Sequence, residues 1–246
     1  MDNWNQLESG KGNTDTLSLL WEDTLPTVTL RGLTILPGMV IHFDLSRKVS
    51  MASVEQAMLG DQRLLVVTQK DPGKDDPGME DIYDVGTVVL IRQVSKLPEH
   101  VLRVLVEGLS RARIHGLSDS ERGMMTQVSY ERDDRADIDE ITAEAMTRTV
   151  KEALAAYGTC FPKVGKAVQD QIEENMELGK LLDSITINMP LTVSDKQKIL
   201  GAISVRERFS ILTGILTREV EVIRIKNDLA KDIRQRIDKN QRDYIL

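Results

Sequence analysis

Residues 84–117, DVGTVVLIRQVSKLPEHVLRVLVEGLSRARIHGL, constrain the fold more than any other stretch of the chain. Two β-rich runs, 87–94 and 101–106, flank Leu97-Pro98-Glu99-His100, the mark of a hairpin with a short turn. In the second run Leu102, Val104 and Val106 fall on one face, and Arg103, Leu105 and Glu107 on the other. The first run, Thr87-Val88-Val89-Leu90-Ile91, is apolar on both faces, so it belongs inside a sheet and away from its edge. Gly86 and Gly108 stand where a bend or bulge leaves no room for a side chain. The hairpin carries no reactive constellation, so its expected role is a rigid platform.

A lobe built on that hairpin has the material for a core, because apolar residues make up 41% of the chain. Aromatic residues are only 4%, so aliphatic side chains and ten methionines must fill it, and stacking on nucleic-acid bases is disfavoured. The formal charge of −7 is uneven: residues 205–246 hold ten basic and seven acidic residues, a net +3, which leaves −10 on the rest. An acidic body with a mildly basic tail does not read as a nucleic-acid domain. Cys160 is the single cysteine, so no intrachain disulfide forms, which suits a reducing cytosol. The start does not resemble a signal peptide, and no apolar run is long enough to cross a bilayer; the expected location is cytoplasmic.

Residues 1–23 are polar, with Gly10-Lys11-Gly12-Asn13 in the middle, and read as a flexible tail. Residues 24–132 read as the β lobe. Val28 and Leu30 alternate with Thr27, Thr29 and Arg31 as a half-buried strand. Leu36-Pro37-Gly38-Met39 is a turn between β-prone runs, with its apolar residues either in the core or forming a contact patch. A short helix spans 50–59, capped by Ser50 and ended by Gly60, with Met51, Val54, Ala57 and Met58 on its apolar stripe. Residues 63–69 make another buried strand, and 125–132 a closing one. The acidic loop 71–84 departs from a calcium loop, since two prolines interrupt it and Gly73 takes a ligand position. Six or so strands with one helix fit a small barrel-like lobe.

At RDDRADID, residues 132–139, the pattern turns helical, giving a bundle over 133–204 and a long helix over 205–246. Apolar stripes run through Ile141, Ala145, Met146, Val150, Ala153, Leu154 and Tyr157, then Val164, Val168 and Ile172, then Leu178, Leu181, Leu182 and Ile185. Ser194 with Gln197, and Ser204 with Glu207, fit capping boxes. The last helix carries Phe209, Leu212 and Leu216, then Ile225, Leu229, Ile233 and Ile237 at four-residue steps. At 1.5 Å per residue it extends about 60 Å, more than the preceding bundle can cover, so its distal part is expected to project or pair with a partner. With no cap at Tyr244-Ile245-Leu246, the natural chain is expected to continue.

No catalytic pattern stands out. The nearest approach to a phosphate loop, Gly158 with Gly165-Lys166-Ala167, has the wrong spacing and lacks the hydroxyl that binds magnesium. One cysteine and the scattered His42, His100 and His115 exclude zinc motifs, and no nucleophile elbow appears. Cys160 reads as a half-buried structural thiol.

Several segments together resemble the amino-terminal domain family of bacterial Lon, an ATP-dependent protease. They are Leu30-Arg31; Leu36-Pro37-Gly38-Met39-Val40; Gln69-Lys70-Asp71 with Asp76-Pro77; Tyr83 with Val85-Gly86-Thr87; Lys96-Leu97-Pro98; and VLVEGLSRARI, residues 104–114. Val205-Arg206-Glu207-Arg208 and Lys239-Asn240-Gln241-Arg242-Asp243-Tyr244 extend the likeness, which covers residues 24–246. Leu36 departs from the family pattern, where an aromatic is common, and so does Gly32, where an acid is common.

The resemblance implies an α+β chain: a barrel-like antiparallel β lobe with one short helix, then a helical bundle and a long projecting helix leading toward an ATPase module and a serine–lysine protease. On that reading this chain recruits unfolded or damaged proteins and has no catalytic centre, cofactor or metal of its own; ATP and magnesium belong to the ATPase module. The substrate-contact candidates are Leu33, Ile35, Leu36, Pro37 and Met39, and the self-association candidates are Ile225, Leu229, Ile233 and Ile237. The expected assembly is a hexamer in the full-length protein and a monomer or dimer for the isolated domain, with no membrane or nucleic-acid partner. Two other readings stand beside it: a structural spacer or gate of the hexamer, and a free-standing partner- or ligand-sensing domain.

Overall fold

In the computed structural model, which describes residues 22–120, 122–173 and 176–245, the chain is α+β and divides into two compact units, Met1–Arg132 and Asp133–Leu246. The expected tail falls outside the described residues except at its end, where Glu22 and Asp23 already belong to the first strand.

The first unit contains β1 (Glu22–Leu30), β2 (Val40–Leu45), α1 (Lys48–Leu59), β3 (Arg63–Thr68), β4 (Val85–Leu97), β5 (Val101–Ser120) and β6 (Gly123–Glu131). The hairpin organises it: β4 and β5 pair antiparallel from Val85 opposite Arg113 to Leu97 opposite Val101. At its tip Glu99 and His100 take positive φ, 61° and 58°, which closes the turn tightly. The sheet order is β2-β5-β4-β3-β1-β6, and β6 also pairs with β5, so five strands close into a ring. The twenty-residue β5 is long enough to be shared, its first half bonded to β2 and its second half to β6. One pair departs from the antiparallel expectation: β1 runs parallel to β3, with Thr27 opposite Leu65 and Leu30 opposite Thr68.

Both faces of the central strands are buried. Leu64 and Val66 of β3 join one core cluster, with Val28, Phe43, Val89, Val104 and the α1 residues Val54 and Ala57. Leu65 and Val67 join the other, with Leu25, Ile82, Val88, Ile114 and Val128. This double burial explains the unbroken apolar run of β3. It also overturns the half-buried reading of β1: Thr27 and Thr29 are buried as well, Thr27 bonded to Thr126 of β6 and Thr29 to Arg47 at the start of α1. The Thr27 hydroxyl is satisfied by Leu25 O and Thr126 Oγ1.

The short helix starts earlier than Ser50: Arg47 is its N-cap, and Ser50 is buried in the first turn. Gly60 ends it as expected. Ser53 ties α1 to β6, accepting from Met124 N at 2.9 Å. Gly123, at φ +105°, comes so close to Ser53 that an added Cβ would lie 2.6 Å from Ser53 N.

The second unit holds α2 (Glu140–Cys160), α3 (Pro162–Gln169), α4 (Leu178–Asn188), α5 (Val193–Gly201) and α6 (Val205–Ile245). Met146, Val150, Leu154 and Tyr157 form the buried stripe of α2, whereas Ile141 and Ala145 at its start are exposed. Ile172 lies beyond the end of α3. Asp139 caps α2 by accepting from Thr142 N at 2.7 Å. Thr192, not Ser194, caps α5, and Ser204 caps α6 by accepting from Glu207 N at 3.3 Å. Arg208 is fully buried. It donates to Ala202 O and clasps Asp133 at 2.8 and 3.2 Å, with Asp183 at 3.5 Å. Gly179 makes room for this cluster, since a Cβ there would fall 1.9 Å from Asp133 Oδ2. Among the described residues, no helix is long and apolar enough to cross a membrane.

Candidate functional site

The five candidate residues of 33–39 lie in the connection between β1 and β2, and hydrogen bonds hold that connection firmly. Thr68 Oγ1 donates to Leu33 O at 3.0 Å and Thr87 Oγ1 to Ile35 O at 2.6 Å. Met39 N donates to Leu36 O at 3.1 Å, and Gly38, at φ +84°, completes the turn. Gly38 N donates to Gly108 O, and Gly108 N to Met39 O, both at 2.9 Å. Gly108 must be a glycine, because a Cβ there would sit 2.2 Å from Leu36 O.

These constraints sort the candidates. Ile35 and Leu36 are fully buried, so a partner cannot reach them in this conformation. Leu33 and Met39 are partly buried and pack on the core cluster, and Pro37 is half-buried at the turn. Two residues outside the candidate set, one at each side of this connection, are more exposed than any in it. Val40 is 63% exposed at the start of β2. Leu109, 44% exposed, is pushed out of the ladder where Val88 faces Ser110 and Val89 faces Gly108. Its neighbour Gly108 bonds the turn, so Leu109 stands beside it. Gly108 marked a bulge in the sequence, but the direction in which the bulge turns Leu109 depends on long-range pairing.

Ion pairs lie on the strands β2, β4 and β5. Arg103 grips Asp44 at 2.7 and 2.8 Å, and its hydrogen bond holds the Asp44 carboxyl below the usual range. Arg92 pairs with Glu107 through Nε at 2.8 Å. On the side of β6, Tyr130 donates to Asp23 at 3.0 Å; burial, then this bond, push its phenol up to about 12.

His42 is on β2, His100 at the hairpin tip, and His115 bonds Ser129 at 2.8 Å. Among the described residues no three His, Cys, Asp or Glu side chains are grouped to hold a metal ion.

The second group of candidates lies on α6. Its buried face ends at Leu216, and Val222, Ile225, Leu229, Ile233 and Ile237 are all exposed. The steps of three, four and four residues from Val222 to Ile233 keep these side chains in a nearly straight stripe, rather than in the seven-residue seam of a left-handed coiled coil.

Residues 24–218 match the family described as the ATP-dependent protease La (LON) substrate-binding domain. The chain belongs to this family. It is 39% identical over 222 residues to the Lon protease of Lachnoclostridium phytofermentans, covering 90% of this chain and 27% of that protein. It is 32% identical to the Lon protease of Escherichia coli K12, covering 90% of this chain and 28% of that protein. The chain thus spans little more than a quarter of these Lon relatives. Its fold is similar to the N-terminal domain of a Mycobacterium avium complex Lon protease, with a TM-score of 0.63 at 18% identity, covering 79% of this chain and 98% of that one. A Lon N-terminal domain protein from Xanthomonas campestris gives 0.54 at 15% identity, covering 78% and 98%. The match to the Lon substrate-binding family ends just beyond Leu216, where the buried face of α6 also ends.

Proposed function

We propose that this chain recruits unfolded polypeptide for a Lon-type ATP-dependent protease acting in a reducing cytosol. The first unit binds exposed apolar segments on the patch formed by Val40, Leu109 and the accessible parts of Leu33, Pro37 and Met39. The observation that carries this reading is the exposure of Val40 and Leu109 next to a connection that hydrogen bonds fix to β5. Such a surface recognises apolar segments by area and shape and needs no sequence readout. Ile35 and Leu36 support the patch from beneath. Catalysis, with its ATP and magnesium, belongs to other modules of the parent enzyme.

Anisotropy of a fluorescently labelled, permanently unfolded protein, titrated with the full 246-residue chain, tests this. Saturable binding that weakens about tenfold or more in the double variant Val40→Asp, Leu109→Asp supports it. Equal binding by the variant refutes it.

A second reading, assembly, is favoured by the exposed stripe on α6, which suits a second copy of the helix. Sedimentation equilibrium of the chain and of Ile225→Asp, Leu229→Asp separates the two functions. Self-association lost in the variant, with unfolded-protein binding retained, assigns assembly to α6; unchanged sedimentation removes that role.

A further inference from the structure

A cavity of about 230 Å³ in the first unit takes no part in the functions above. It lies against the first turn of α1, lined by Arg47, Lys48, Val49 and Ser50, with Thr27 and Thr29 of β1 across from them. The helix begins without a side-chain cap and without an acid in its first turn. The amides of Lys48, Val49 and Ser50 precede the first intrahelical bond, which runs from Met51 N to Arg47 O, and have no acceptor among the described residues. Orphan amides at a helix start carry the positive end of the helix dipole.

Ser50 points to a ligand independently. Its residue is only 5% exposed, yet its hydroxyl makes no hydrogen bond among the described residues. Among the described residues Gln69 Oε1 is the side-chain atom sealed from solvent without a partner; Ser50 is not sealed and lines the cavity. A buried hydroxyl with nothing to bond is costly unless something enters to meet it.

The charges agree. Arg47 is held in place, donating to Thr29 Oγ1 at 2.7 Å and to Asp75 O at 3.2 Å, and Lys48 is exposed at the rim. Of the two acids at the opening, Asp75 is engaged by Arg31 at 2.7 Å, and Asp76 is exposed to water.

We propose that this cavity binds a small oxyanion, a phosphate or carboxylate group. The amides of Lys48, Val49 and Ser50 and the Ser50 hydroxyl donate to it, and Arg47 and Lys48 supply the positive field.

Amide NMR of the full chain, titrated with inorganic phosphate and separately with acetate while chloride holds ionic strength constant, tests the site. Saturable shifts centred on residues 48–50 are expected. A response to phosphate alone assigns a phosphate-bearing ligand, and a response to both extends the site to carboxylates. Ser50→Ala is expected to weaken binding about tenfold, from the loss of one hydrogen bond to a charged group. The same substitution leaves the unfolding midpoint of the anion-free protein unchanged or raises it, because the hydroxyl it removes has no partner. Amides unmoved by both anions, or equal affinity in Ser50→Ala, would overturn the proposal.

Discussion

Removing the Arg208 guanidinium should cost the helical unit more than any surface change. Arg208 is fully buried, and its donors serve two carboxylates and one carbonyl: Asp133 at 2.8 and 3.2 Å, Asp183 at 3.5 Å, and Ala202 O at 3.1 and 3.2 Å. Arg208→Ala leaves all three facing a void. Breaking a buried ion pair costs about 3–5 kcal/mol. The Asp183 side chain is 9% exposed and cannot turn to water, but that of Asp133 is 33% exposed and partly can. The loss should therefore fall at the lower end, about 3 kcal/mol. Arg208→Lys keeps the charge, but one ammonium cannot span the three acceptors, so about 1–2 kcal/mol is lost. Gly179→Ala should act on the same cluster by displacing Asp133, so the double variant Gly179→Ala, Arg208→Ala should lose less than the sum of the two single losses. Urea unfolding followed by far-ultraviolet circular dichroism reads the parent and all four variants. An Arg208→Ala variant within about 0.5 kcal/mol of the parent would show that the clasp contributes nothing, and would refute this reasoning.

Three further outcomes are expected. Gly108→Ala drives a methyl against Leu36 O and should destabilise the first unit by about 2–3 kcal/mol in the same urea assay, while loosening the turn that carries the patch. The Tyr130 phenol, raised from 10.0 to about 12, makes the folded first unit favour the protonated form; its stability should be full below pH 10 and fall as the pH rises through that interval. Tyr130→Phe should flatten the dependence of the urea midpoint on pH there. Because the Arg103 hydrogen bond lowers the Asp44 pKa, the carboxyl resonance of Asp44 should titrate below 3.8 and return toward it in Arg103→Gln.

What could be read from the sequence was local. Alternation alone placed Leu102, Val104 and Val106 inward, and the double-sided run at Val88 and Val89 marked an interior strand, because period-two burial follows from the pleat. The parallel pairing of β1 with β3 could not be read, since it joins residues far apart in the chain, and neither could the partners of Thr27 and Thr29, which β6 and the start of α1 supply. The α1 and α5 starts were misplaced by nearby serines: a good capping residue shows that a cap is possible, and the backbone decides which residue takes it. Arg208 looked like one basic residue at the start of a long helix; its burial depends on Asp133 and Asp183, which only folding brings to it. Of the candidate residues in 33–39, Ile35 and Leu36 are buried, whereas Val40 and Leu109, whose exposure depends on strand register and a bulge, are exposed.

Unfolded polypeptide is proposed to lie on the residues beside Gly108 rather than on any exposed apolar residue. Leu59, 84% exposed at the end of α1, is the natural control. A photo-crosslinking residue placed at position 109 or at position 59 of the full chain, irradiated with a labelled unfolded protein, reports contact directly. Strong crosslinking is expected from position 109, competed away by excess unlabelled unfolded protein, and little from position 59. Equal yields from both positions, or crosslinking from position 59 alone, would contradict it.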